Sequence, residues 1–379
     1  MASPPNPFIH LNAAGASICS QEVLQTQIDY LCLEQKMGGY GAADFHQARW
    51  ELLYQQVGQL INAAPTHIAL QESASRAMQN ALLSIPWQKG DQVLISSKEY
   101  GAHYIALLQL KQQYELEIIF LPEKEGDLDW VAVSSLLTER VKAVIVTWIG
   151  SHNGGVLDVI KLGQLVSNSS AYYLIDGCQA LGQIAVDVSK LNCDFLSATG
   201  RKFLRGPRGT GFLYVAQRVL EEELFPVVTD HAAARLIDDN TWRLDETARR
   251  FELWEANWAA RAGLQQAISE LLANQQVIYD SIQRLSSELR DMLSESGVVE
   301  IADTGAQLSG IISFRHKKAS VERVKQALDS GNVISSVITQ DAGWIDLRHR
   351  EITQLNRLSV HVYNRVEEFS EVIDCLENL

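Results

Sequence analysis

Between residues 65 and 215, short apolar runs alternate with helical stretches, and this alternation restricts the fold more than any other feature. Residues 93–96, 116–121, 143–147, 172–175 and 194–198 are rich in Val, Ile and Leu and read as buried strands. Gly101–Tyr114, 130–140 and 159–167 read as the helices between them. Such alternation predicts an α/β fold with a mainly parallel sheet covered by helices on both faces. Ligands of these sheets bind beyond the carboxyl ends of the strands, so the loops there are the site candidates. Past residue 257 the pattern changes. A long helical run over 259–296 contains no proline, and short strands follow at 298–302, 310–315, 333–338 and 355–361. Two amphipathic helices, 321–328 and 365–379, interleave with them, the last opening on an Asn364-Arg-Val-Glu367 capping box. This part reads as a second, smaller α+β domain.

The chain has 379 residues, enough for two sizeable cores, and its 46% hydrophobic and 21% charged residues are those of a soluble globular protein. No apolar run approaches the ~18 residues that span a bilayer, so no membrane partner is expected. The first seven residues lack a leader pattern, and a cytoplasmic location follows as the default. A net charge of −14 argues against nucleic acid as the partner. The five cysteines show no C-x-x-C pair and no ligand spacing with the nine histidines, which points to a reduced compartment and no metal.

The chemistry concentrates in Ser197-Ala-Thr-Gly-Arg-Lys-Phe-Leu-Arg-Gly-Pro-Arg-Gly-Thr-Gly211. Lys202 stands on a tight loop between two strands, with Thr199 and Arg201 beside it to hold an anion such as phosphate. A lysine needs these neighbours to form a Schiff base with pyridoxal phosphate; a solvated basic hairpin is the alternative. Asp176 ends an apolar strand, where its carboxylate could pair with a protonated pyridine nitrogen, cap the following helix, or do both. Gln179, three residues on, could donate to a phenolic oxygen. Glu72-Ser-Ala-Ser-Arg-Ala-Met78 places small hydroxyl residues where a helix opens, which suits a phosphate or a plain N-cap.

The motif Asp194-Phe-Leu-Ser-Ala-Thr-Gly-Arg-Lys202, followed after six residues by Gly-Thr-Gly211, resembles the signature of class V pyridoxal-phosphate enzymes. These are the aminotransferases and cysteine desulfurases of fold type I, and Asp176-Gly-Cys-Gln179 resembles their Asp-Gly-Ala-Gln step. The resemblance in order and spacing covers nearly the whole chain. It implies a large cofactor-binding domain over 15–272 and a small domain from 1–14 and 273–379. It makes Lys202 the Schiff-base lysine and Asp176 the pyridinium partner. Gln179 then contacts the phenolic oxygen, while Ala74 N–H, Ser75, Thr199 and Arg201 hold the phosphate. Tyr100 takes the ring-stacking place, usually a histidine in desulfurases, with His103 as second choice. Asn356-Arg-Leu-Ser-Val-His-Val-Tyr-Asn364 resembles the strand of the substrate-carboxylate arginine. Arg357 is therefore the clamp candidate, with Asn12 and His103 as further substrate contacts; a solvated strand-edge arginine is the alternative. A homodimer is implied as well.

Two departures narrow the reading. Desulfurases that pass on a persulfide carry a mobile-loop cysteine, and Ser335-Ser-Val-Ile-Thr-Gln-Asp-Ala-Gly-Trp344 has none. Cys178 reads as a filler of a small core gap. The family's Phe-Glu-x-Gly-Thr appears here as Phe251-Glu-Leu-Trp-Glu255, which resembles lyases similar to hercynylcysteine sulfoxide lyase and isopenicillin-epimerase-like proteins. That removes the threonine that reaches the partner subunit's phosphate and leaves Asn257 in its neighbourhood. The expected activity is a C–S lyase on a cysteine-derived amino acid, with Lys202 as the base. An aminotransferase or an epimerase is the alternative within the family, and a non-catalytic cofactor- or nucleotide-binding protein the alternative outside it.

Overall fold

The computed structural model describes residues 8–124 and 126–379; the first seven residues, read above for their lack of a leader, lie outside the described residues. Its larger sheet has seven strands in the order Ile68–Gln71, Gly211–Val215, Phe195–Thr199, Tyr172–Asp176, Val141–Thr147, Gln92–Ile95 and Glu117–Phe120. From Phe195–Thr199 to Glu117–Phe120 all neighbours are parallel, while Gly211–Val215 runs antiparallel to both strands it pairs with.

The continuous apolar runs serve two cores, one on each face. Leu94, Val144, Val146, Tyr173, Ile175 and Leu196 join the cluster that holds Leu264, Ile268 and Leu271 of the long helix. The residues alternating with them, Val93, Ile95, Ala143, Ile145, Tyr172, Leu174 and Phe195, pack instead with Ala77, Met78 and Leu107. Successive side chains of a strand point to opposite faces, so a strand buried on both has no polar position to spare.

The second sheet is antiparallel, in the order Val299–Ile301, Ile311–His316, Gln354–Ser359 and Ser336–Thr339. Three details differ from the sequence reading. The single strand expected over 333–338 is two: Val333–Ile334 pairs in parallel with Ile9–His10, and Ser336–Thr339 joins the antiparallel sheet. A change of partner leaves no trace in hydrophobic periodicity. The Asn364–Glu367 capping box does not form, since Glu367–Glu377 starts later with Val366 at its cap. Asn364 instead accepts from His361 N, and it is Glu368 that reaches back to Arg365 N at 3.2 Å. The long helix, Trp258–Glu295, bends at Asn274, whose φ is −134° and whose side-chain amide donates to the Glu270 carbonyl.

Candidate active site

The turn carrying Lys202 joins the last parallel strand to its antiparallel neighbour and is pinned from several sides. Gly206 N donates to Gly200 O at 2.7 Å, Arg205 N to Lys202 O at 2.9 Å, and Gly200 N to Thr210 O at 2.9 Å. Gly182 lies behind it with φ +96°, and a Cβ there would stand 2.3 Å from the Phe203 carbonyl carbon, so only glycine fits. His361 closes the other side. Its Nε2 is 3.1 Å from Phe203 O, and its ring stacks on Phe203 and Tyr363. Burial pulls its pKa down to about 3, so the ring is neutral at neutral pH. Lys202 itself is only 9% exposed, which rules out the solvated hairpin. Burial lowers its pKa, with Arg201 and Arg357 adding to the fall against the opposing charge of Asp176.

Eight candidates, Ala74, Ser75, Tyr100, Asp176, Gln179, Thr199, Arg201 and Lys202, line one cavity, and His103 lines it with them. Asp176 ends its strand at the sheet's carboxyl edge. Its Oδ1 accepts from Cys178 N at 2.9 Å within a turn, and no helix follows for it to cap, the next being Val188–Leu191 behind its own cap Asp187, while Oδ2 lies 3.7 Å from His103 Nδ1. Gln179 donates to Ala14 O, and its Oε1 is buried without a protein partner. Ser73 caps the helix Ala74–Ser84 by accepting from Arg76 N, which leaves the first N–H groups of that helix facing the cavity. Gly211 allows this approach, for a Cβ there would meet Ala74 N at 3.3 Å and Ala198 O at 2.4 Å. Thr199 donates to Thr210 O, and Arg201 donates to Gly15 O.

Arg357 and Asn12 stand just outside this set. The Arg357 guanidinium donates to Asn12 Oδ1 at 3.0 Å and to Ser336 Oγ at 3.3 Å, and on its other side to Ser151 O at 2.8 Å. Ser151 lines the cavity, so the arginine is one residue removed from it. Arg357 is 4% exposed rather than solvated, and its Nε is buried without a partner. Burial, with Arg201 nearby, lowers its pKa to about 10, which leaves it charged at neutral pH.

His103 is not an open-faced stacking ring. It is 2% exposed, held by Glu99 at 3.1 Å, and edge-on to the half-exposed Tyr100. Asn257 accepts from Ala260 N as the cap of the long helix. Cys178 is buried, and burial beside Asp176 pushes its thiol pKa up. Sequence reasoning missed Glu99, Thr147, Ser151 and Ser336. Thr147 ends a parallel strand, and the rule that sites lie at such ends could have found it; the other three carry no distinctive spacing. A more spacious cavity, about 1140 Å³, lies between the helix Gln21–Phe45 and the segment around Trp242 and Trp254, away from Lys202. Among the described residues no group of side chains could hold a metal ion.

The polar groups left over around the cavity have a consistent character: a buried amine, the Gln179 amide with a second N–H beyond the one given to Ala14 O, free helix N–H groups and a strand-end carboxylate. Pyridoxal phosphate offers an aldehyde, a phenolic oxygen, a phosphate and a basic ring nitrogen, one for each, so the residues present fit it. Together with the doubly covered parallel sheet, they place the molecule among the fold type I pyridoxal-phosphate enzymes. The model of the class-V aminotransferases matches residues 9–372, and the chain belongs to that family of pyridoxal-phosphate-dependent enzymes.

A probable cysteine desulfurase of Methanothermobacter thermautotrophicus is 24% identical over 378 residues, covering 98% of this chain and 94% of the relative. A cysteine desulfurase of Pectobacterium carotovorum is 25% identical over 98% of this chain and 93% of its own length. Among solved structures, the apo cysteine desulfurase of Thermococcus onnurineus superposes with a TM-score of 0.90 at 21% identity, covering 98% of this chain and 94% of that one. The cystine C–S lyase C-DES, in complex with its product cysteine persulfide, gives 0.88 at 20% identity over 98% of both chains. No helix among the described residues is long and apolar enough to cross a membrane.

Proposed function

We propose that the protein is a C–S lyase that eliminates a sulfur leaving group from the β-carbon of a cysteine-derived amino acid. The observation that carries this is the pairing of a buried Lys202 with a site that holds no reactive thiol. Segment 335–344 contains no cysteine, and the cavity's Cys178 is kept protonated by burial, so it is a poor acceptor of sulfur. A reaction that releases its sulfur to solution needs no protein thiol. The C–S lyase among the structural neighbours supports this reading, and the relatives named desulfurases support cysteine as the substrate class.

The bound cofactor supplies an electron sink for the pair left on Cα. The remaining work belongs to the chain. Arg357, fixed by Asn12, Ser336 and Ser151, binds the substrate carboxylate and so orients the Cα–H bond. Lys202, whose burial favours the neutral amine, takes the α-proton. Asp176 would hold the proton of the ring nitrogen, the N-terminus of Ala74–Ser84 with Ser75, Thr199 and Arg201 would hold the phosphate, and Tyr100 would lie beside the ring. The Cβ–S bond then breaks with its electron pair going to sulfur, and hydrolysis yields pyruvate and ammonia. The working unit is a homodimer. Leu31, Met37, Tyr40 and Phe45 on one helix and Val228, Leu236 and Trp254 further on are exposed apolar groups that a second copy would cover.

A panel of cysteine, cystine, cysteine S-conjugates and their sulfoxides, assayed without keto acid, tests the reaction. Equal yields of pyruvate and ammonia are expected. Turnover that requires a keto acid would establish the aminotransferase, and alanine as product a desulfurase.

A further inference from the structure

In the wall of the cavity, His103 and Glu99 form a buried pair beside Asp176 that the proposed mechanism does not use. His103 is the third residue of the helix Gly101–Tyr114, with its side chain 2% exposed. Its Nδ1 is 3.1 Å from Glu99 Oε1 and 3.7 Å from Asp176 Oδ2. Glu99 is 1% exposed; its Oε1 also accepts from Thr147 Oγ1 at 2.8 Å, and its Oε2 is buried without a partner. The single Nδ1 thus faces oxygens of two buried acidic side chains, and both favour a proton on the imidazole.

We propose that His103 is a positioning residue for Asp176: oriented by Glu99 and set against Oδ2, it keeps the Asp176 carboxylate directed for the ring nitrogen of the cofactor. The inference rests on reading Asp176 as the partner of that nitrogen. Three observations bear on it. The Nδ1–H has Glu99 within hydrogen-bond distance, so the ring's orientation is set from outside the cavity. The Asp176 oxygen that His103 faces is Oδ2, at 3.7 Å and so by charge rather than by a hydrogen bond, whereas Oδ1 is held by Cys178 N at 2.9 Å. Burial alone would strip the proton from His103, but the hydrogen bond to Glu99 and the charges of Asp176 and Glu99 outweigh it, and its pKa is raised. The opposing group is Lys202, whose positive charge disfavours the imidazolium. A Lys202 that burial has moved toward neutrality weakens that opposition.

The test follows the proton on the ring nitrogen directly. The holoenzyme is loaded with pyridoxal phosphate labelled with ¹⁵N in the ring, and the nitrogen chemical shift is recorded for wild type, His103→Asn and Asp176→Asn. In wild type the shift is that of a pyridinium. In His103→Asn it moves toward neutral pyridine while the cofactor stays bound in the same stoichiometry. A pyridinium shift unchanged in His103→Asn, with Asp176→Asn losing it, overturns the role of His103 and leaves Asp176 standing. If Asp176→Asn keeps the pyridinium, the underlying reading of Asp176 fails instead. Should His103→Asn not fold, the wild-type holoenzyme labelled with ¹⁵N-histidine decides the matter. Both ring nitrogens of His103 are expected to be protonated at pH 7, and a neutral ring overturns the proposal.

Discussion

Arg357 has five N–H donors, and the three hydrogen bonds to Asn12, Ser336 and Ser151 leave at least two over, the buried Nε among them. An arginine so held is aligned before substrate arrives, and a lysine could reproduce neither the fork nor its three anchors. Charge-assisted hydrogen bonds contribute about 1.5–3 kcal/mol, so Arg357→Lys is expected to raise KM by roughly 10- to 150-fold in steady-state assays. An unchanged KM would move the carboxylate site elsewhere. At this scale the sequence was most readable where a motif has fixed spacing. Lys202, Asp176, Gln179 and Thr199 lie on one continuous stretch of sheet edge, and all of them line the cavity. Ser151 was not legible in the same way, because its partner Arg357 is distant in the chain, and Glu99, four residues before its partner His103, sits in no distinctive pattern.

Among the elements, the strand Gln354–Ser359 and the residues that follow it tie the second sheet to the lysine turn. His361 accepts no charge in this position: it is 0% exposed, and burial together with Arg205 and His10 holds its pKa near 3, while the contact to Phe203 O works against the fall. Its ordinary pKa is 6.5. Between these values the unfolded chain binds a proton that the folded chain does not, so the stability His361 allows is present above about 6.5 and is lost as pH falls toward 3. Thermal melts from pH 7 down to pH 4 are expected to fall more steeply in wild type than in His361→Gln, whose amide keeps a donor for Phe203 O. Parallel slopes would show that the histidine is not buried neutral. The helices and strands themselves were legible because a strand buried on both faces reads as a continuous apolar run. The split of 333–338 and the missing Asn364 box were not, since strand pairing and cap choice are settled by tertiary partners.

For the whole molecule, the sequence carried the two-sheet architecture but not its assembly. We propose that the large domain runs over 15–272 and that 1–14 returns to join 273–379. The pairing of Ile9–His10 with Val333–Ile334 supports the second part for the described residues. Tyr40 of the helix Gln21–Phe45 lines the same large cavity as Trp254, and one chain by itself leaves both, with the helix's other exposed apolar groups, in water. Light scattering on the purified protein is expected to give about twice the 42.2 kDa chain mass, and a Tyr40→Glu and Trp254→Glu double variant to lower it. A wild-type mass of one chain would remove the dimer.

Everything proposed for this site depends on Lys202 holding pyridoxal phosphate, and the visible spectrum reports that bond. The purified protein is expected to show the visible absorption band of a lysine-bound pyridoxal phosphate, and borohydride reduction to leave the cofactor covalently on Lys202. In Lys202→Ala the band is expected to vanish, with no cofactor retained after denaturation. A colourless wild type reconstituted with pyridoxal phosphate, or a Lys202→Ala variant that keeps a covalent cofactor, would contradict the assignment.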